Sequence, residues 1–114
     1  MKTNEGPLLA ALADPSRRHA FEELTRHGPL SVGQLAERMP ISRPALSQHL
    51  KILLDAGLVQ STAQGTRRFY GARPEALAML REWLDLMWRD ALNAFAATVD
   101  NDNAAQPPAT EEHA

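Results

Sequence analysis

There is no cysteine in this chain, which excludes disulfides, thiol redox switches, thiolate nucleophiles and cysteine-bound metals. No stretch approaches the roughly 18 consecutive apolar residues of a membrane span. The opening Met1-Lys2-Thr3-Asn4-Glu5-Gly6 also lacks the apolar core of a secretion signal, so the cytoplasm is the expected location. A phosphate-cradling glycine loop, a zinc signature, a serine-nucleophile motif and internal repeats are all missing. No catalytic residue, metal site or cofactor is therefore expected, and the chain does not look like an enzyme. Net charge is almost absent too, at −2 over 114 residues, which at first sight argues against a polyanionic partner.

The distribution of charge reverses that impression. Residues 31–73 hold Arg38, Arg43, Lys51, Arg67, Arg68 and Arg73 against only Glu37 and Asp55, a net charge of +4. Residues 100–114 carry −4, from Asp100, Asp102, Glu111 and Glu112. With 44% hydrophobic residues and no composition shift in the middle, the chain is expected to form one globular domain over residues 8–99. A short N-terminal arm (1–7) and a disordered acidic tail (100–114) are expected to flank it.

Helix signals follow one another closely. Leu8, Leu9 and Leu12 stand at helical spacing after Pro7, and Asp14-Pro15 opens a second helix, to about Arg26, that turns Ala20, Phe21 and Leu24 inward. Gly28-Pro29 stops it. Ser31 and Gln34 form a capping box for a third helix with Val32, Leu35, Ala36 and Met39 inward. After Pro40-Ile41, Ser42 caps a fourth, with Leu46, Leu50, Leu53 and Leu54 on one face, until Gly57 ends it. The period then shortens. Leu58–Thr62 and Arg67–Tyr70 are β-prone runs around Ala63-Gln64-Gly65-Thr66, which predicts a hairpin with a basic tip. A last helix of about 25 residues, from Glu75 to Val99, would reach on the order of 37 Å.

Two short helices joined by a tight link describe a helix-turn-helix, whose second helix lies in the major groove of DNA. Ser42, Arg43, Ser47, Gln48 and Lys51 point away from the leucine face. Gln suits adenine, Arg suits guanine, and Ser and Lys suit phosphate oxygens. The hairpin places Gly65, Thr66, Arg67 and Arg68 on a wing able to lie on phosphates or enter a minor groove. A solvent-exposed helix surface, or a module that binds protein partners through the last helix, is the competing reading.

Four stretches together resemble the ArsR family of winged-helix repressors: Leu12-Ala13-Asp14-Pro15-Ser16-Arg17-Arg18, Ser42 through Lys51, Ala56-Gly57-Leu58-Val59, and Gly65-Thr66-Arg67-Arg68-Phe69-Tyr70. The resemblance spans about residues 8–99. It implies a mainly α fold of about five helices with a two-stranded wing. It further implies a homodimer joined through its first and last helices on a pseudo-palindromic operator of double-stranded DNA, with repression of its own promoter among the expected actions.

The last helix independently suggests a partner copy, because Leu77, Leu80, Leu84, Met87 and Ala91 form one stripe and Met79, Trp83 and Leu86 another, with Trp88 and Leu92 nearby. Leu8, Leu9, Leu12, Leu80, Trp83, Leu84, Met87, Trp88 and Ala91 are the expected interface residues. An intramolecular wrap of the same helix is the alternative. Metal-sensing relatives carry a cysteine pair before the turn, where this chain has Gln34-Leu35-Ala36-Glu37-Arg38, or Asp and His pairs on the last helix, where it has Leu86-Met87-Trp88; metal sensing is not expected. His49 is expected beside the DNA or in a structural role, a ligand or a pH switch being the other readings. His19 and His27, eight residues apart and read as having no partner carboxylate pattern, receive no role. Trp83 and Trp88 are expected at core or interface, with a small-molecule effector pocket as the alternative.

Overall fold

Three of the helices begin where a side chain satisfies one of their free N–H groups. Residues 5–105 are described by the structure, a computed structural model, with side chains as far as Asp100. The elements are α1 (Glu5–Leu12), α2 (Pro15–His27), β1 (Leu30–Ser31), α3 (Val32–Ala36), α4 (Arg43–Ala56), β2 (Val59–Gln64), β3 (Arg67–Ala72) and α5 (Pro74–Ala105). Asp14, Ser31 and Ser42 cap α2, α3 and α4, accepting from the backbone N–H of Arg17 (2.9 Å), Gln34 (3.2 Å) and Ala45 (3.3 Å). The capping box is complete, since the Ser31 N–H donates to Gln34 Oε1 at 2.9 Å. At the far end of α4, Gly57 takes φ 86°, and the N–H groups of Gly57 and Leu58 reach the Leu54 and Leu53 carbonyls. That Schellman turn redirects the chain into the hairpin.

The mainly α winged helix-turn-helix with five helices expected from the sequence is present, and its sheet is larger than expected. β1 pairs antiparallel with β3 (Leu30 opposite Tyr70, Ser31 opposite Phe69), giving three strands in the order β1-β3-β2. A strand of two residues has no alternation to read; only its partner defines it. The hairpin turn is also tighter than the expected four-residue loop. Gln64 pairs with Arg67, leaving Gly65-Thr66 as the turn, with Gly65 at φ 63° where a two-residue hairpin needs a positive φ.

The chain divides by contact into Met1–Leu80 and Arg81–Ala114, a boundary that falls within α5. In the first unit Leu24, Leu35, Leu46, Leu50, Leu53 and Leu58 are fully buried and centre the core, joined by Phe21, Val59 and Ala76. Leu8 also lies in this core, at 3% exposure. Its expected place at a dimer interface is therefore corrected: α1 is short, and its inward residue fills the chain's own interior. Leu12 and Leu80 are half-buried against the same core.

In the second unit, Leu84, Leu86, Met87, Trp88, Leu92 and Phe95 are exposed and Trp83 is half-buried. Two expected boundaries move. Glu5 to Pro7, assigned to the arm, belong to α1, and Asp100 to Ala105, assigned to the disordered tail, continue α5. No glycine or proline occurs between Pro74 and Pro107 to break the helix. The tail beyond Ala105 and the arm before Glu5 lie outside the described residues. Among the described residues, no helix is long and apolar enough to cross a membrane.

Candidate nucleic-acid interface

α4 packs on the core through Leu46, Leu50 and Leu53, and this fixes what its other sides present. Ser42, Arg43, Ser47, Gln48 and Lys51 are all exposed. They do not share one direction. With about 100° of turn per residue, Gln48 stands opposite the leucines, Ser47 on one flank, and Arg43 about 140° away from Gln48. Ile52, one turn beyond Gln48, is 41% exposed on the outward side. It was not among the expected site residues, because the sequence assigned its apolar neighbours to the core. An exposed aliphatic side chain there suits a thymine methyl group.

His49 sits apart from the exposed polar residues of α4. It is half-buried on the flank facing α2, with Nε2 4.0 Å from Asp14 Oδ2 and Nδ1 buried without a hydrogen-bond partner among the described residues. Asp14 is held below the usual carboxylate range, chiefly by the Arg17 backbone N–H, and further by the charges of His49 and Arg17. His49 thus meets the cap of α2, in a position to fix how α4 sits on that helix. The side chains of Arg17 and Arg18 turn back to the last carbonyls of α1, with Arg17 Nε donating to Ala11 and Arg18 Nη1 to Leu12, both at 2.6 Å. The stretch Leu12 to Arg18 is therefore a joint between two helices, capped on both sides.

The wing carries its basic residues on β3. Arg67 donates to Ser31 Oγ at 3.1 Å and its guanidinium lies 5.1 Å from the Phe69 ring centre; Arg68 donates to Ser61 Oγ at 2.9 Å. Between wing and α4 opens a cleft of about 380 Å³, lined by Gly33, Arg43, Thr66, Arg67, Arg68 and Tyr70 among others.

Pairing divides the six basic residues that gave this segment its charge. Arg38 lies 3.9 Å from Glu23, Lys51 3.3 Å from Asp55 and Arg73 3.8 Å from Glu75. Arg43, Arg67 and Arg68 have no carboxylate partner among the described residues, and all three border this one cleft.

Glu23 also accounts for the two histidines left without a role. His19 and His27 each approach it at 3.4 Å, four residues before and after it, while Arg26 and Arg38 close in from 3.7 and 3.9 Å. The spacing was visible in the sequence as His19-Glu23-His27, a face of α2 that ties down the turn after α3.

A helix-turn-helix followed by a hairpin whose free arginines share a cleft with the second helix defines a winged helix-turn-helix of the nucleic-acid-binding class. Residues 12–62 match the family described as Helix-turn-helix domain. Over 104 residues the chain is 51% identical to the HTH-type transcriptional regulator Rv2034 of Mycobacterium tuberculosis, covering 90% of this chain and 96% of that protein. It is 38% identical over 80 residues to the arsenical resistance operon repressor of Bacillus subtilis, covering 69% and 76%. Among solved structures, the ArsR-like transcriptional regulator from Rhodococcus sp. RHA1 is similar at a TM-score of 0.78 and 30% identity, covering 92% and 95%. The chain belongs to the ArsR family of helix-turn-helix transcriptional regulators.

Proposed function

We propose that the protein represses transcription as a homodimer bound to a pseudo-palindromic operator in double-stranded DNA, its own promoter included. The observation that carries the DNA reading is the grouping of Arg43, Arg67 and Arg68, none with a carboxylate partner among the described residues, at one cleft between wing and α4, with Ser47 and Gln48 exposed on the same helix. The N-terminal half of α4 enters the major groove, with Gln48 and Ser47 at base edges, while Gly65 to Arg68 lie along the flanking backbone. Ser42, whose Oγ already caps α4, and Lys51, shared with Asp55, contribute contacts to phosphate. A protein-only module would have no use for three uncompensated guanidinium groups on one surface.

The partner copy covers α5. Leu84 (59%), Trp88 (66%) and Phe95 (68%) are too exposed for a helix that ends in water. Met87 and Ala91 stand on the same face, as does Leu92, and exposed Leu9 of α1 supplies a smaller contribution. Two recognition helices related by a two-fold axis would meet successive major grooves. The arsenical-resistance names of relatives do not carry over to a ligand here, because a chain without cysteine has no soft thiolates to hold one.

Titration of promoter-derived duplexes at several salt concentrations tests the reading. Binding should weaken steeply as salt rises. A folded dimer that prefers no duplex over random DNA overturns it.

A further inference from the structure

We propose that the cleft between wing and α4 is a clamp for one phosphodiester of the DNA backbone, closed by Arg43 and Arg67, and that Gly33 is the positioning residue that lets Arg43 reach it. This rests on the DNA-binding reading and assigns Arg43 a role different from base recognition, which its residue type and helix suggest.

Three observations converge. Arg43 is about 140° around α4 from Gln48, stacked above Leu50 rather than on the outward face. Its guanidinium lies directly against Gly33: a Cβ built on that glycine would meet Arg43 Nη2 at 2.7 Å and Cζ at 3.2 Å. In the same cleft, Arg67 is held in advance by Ser31 Oγ at 3.1 Å and by the Phe69 ring, so little rotamer freedom remains to be lost on binding. Two guanidinium forks facing one cleft, with Arg68 and the Thr66 hydroxyl beside them, match the oxygens of a phosphate, which accept paired N–H groups. A base edge in the major groove would have to be reached from the outward face instead.

Gly33 makes the idea testable without touching a charge. Its backbone is ordinary helix, and the only close neighbour of an added Cβ is the far end of a flexible side chain. Gly33→Ala should therefore fold at least as well as the parent, alanine being the better helix former, while evicting the Arg43 guanidinium from the cleft.

The experiment uses the full chain and a duplex enriched by it from a random pool, together with single-base-pair variants of that duplex, titrated over a range of salt. Arg43→Ala should weaken binding roughly ten- to a hundredfold. It should also make the salt dependence shallower by about one unit of log–log slope per protomer, and leave the penalty of every base-pair variant unchanged. Gly33→Ala should reproduce most of that loss with an unchanged or raised melting temperature. In the Arg43→Ala background it should add nothing, a coupling that a merely structural glycine would not produce. Loss of discrimination at one base pair on Arg43→Ala, with the salt slope intact, overturns the clamp, as do additive effects of the two substitutions. Either result leaves the DNA reading standing, whereas a wild-type protein that enriches no duplex at all defeats both.

Discussion

Asp14 shows how one short side chain serves several purposes. Its carboxylate caps α2 through the Arg17 N–H and stands 4.0 Å from His49 on the recognition helix. Because its pKa is lowered in the folded state, its contribution is complete above the ordinary carboxylate range and is lost as the pH falls through the folded value. Asp14→Asn keeps a capping oxygen, so it should fold at neutral pH yet lose stability less steeply in acid than the parent; thermal melts between neutral and acid pH measure this. Gln48 belongs to the same scale. Its replacement by Ala should relax the preference at one base pair by about 1–3 kcal/mol, read by competition with duplexes altered at single positions. Ser31 both caps α3 and accepts from Arg67, and Ser31→Ala should cost about 1 kcal/mol of stability.

At the scale of elements, the ends of helices are set locally and their faces are not. The Schellman turn at Gly57 holds a left-handed φ of 86°. Gly57→Ala should destabilise the fold by about 1–2 kcal/mol, measurable by chemical denaturation, because α4 must release the chain there for the wing to return beside it. For α5 the apolar residues were legible as stripes, and the surplus was recognised. Phe95 was not, although it lies seven residues after Trp88 and four after Ala91 on the same face. Its 68% exposure identifies it. Phe95→Glu should shift the protein toward monomers in sedimentation, since each large apolar side chain buried there contributes about 1.5–3 kcal/mol.

For the whole molecule, DNA binding and assembly are expected to be coupled. A Phe95→Glu protein that is folded but monomeric should bind a two-half-site operator far more weakly than the parent and almost as weakly as it binds a single half-site, because the two contacts no longer reinforce each other. Unfolding of the parent should depend on protein concentration, and that of the monomeric variant should not. Equal operator affinity for both proteins would show that the dimer has no part in recognition.

Much of this was written in short-range signals. Asp14-Pro15, Ser31 with Gln34, Ser42 and Gly57 each act within one helical turn, so caps, helix starts and the hairpin could be read from the order of residues alone, and the family resemblance rode on those same stretches. The tertiary structure decided what depends on distant partners. It paired Arg38 with Glu23, and it added a two-residue strand that exists only beside β3. It also drew Leu8 into the core and His49 toward Asp14. Above all, within residues 31–73 it separated the basic residues that lie beside a carboxylate from the three arginines that have none among the described residues. A charge count cannot make that distinction, because whether a cation is free is settled by side chains brought alongside it from elsewhere in the chain.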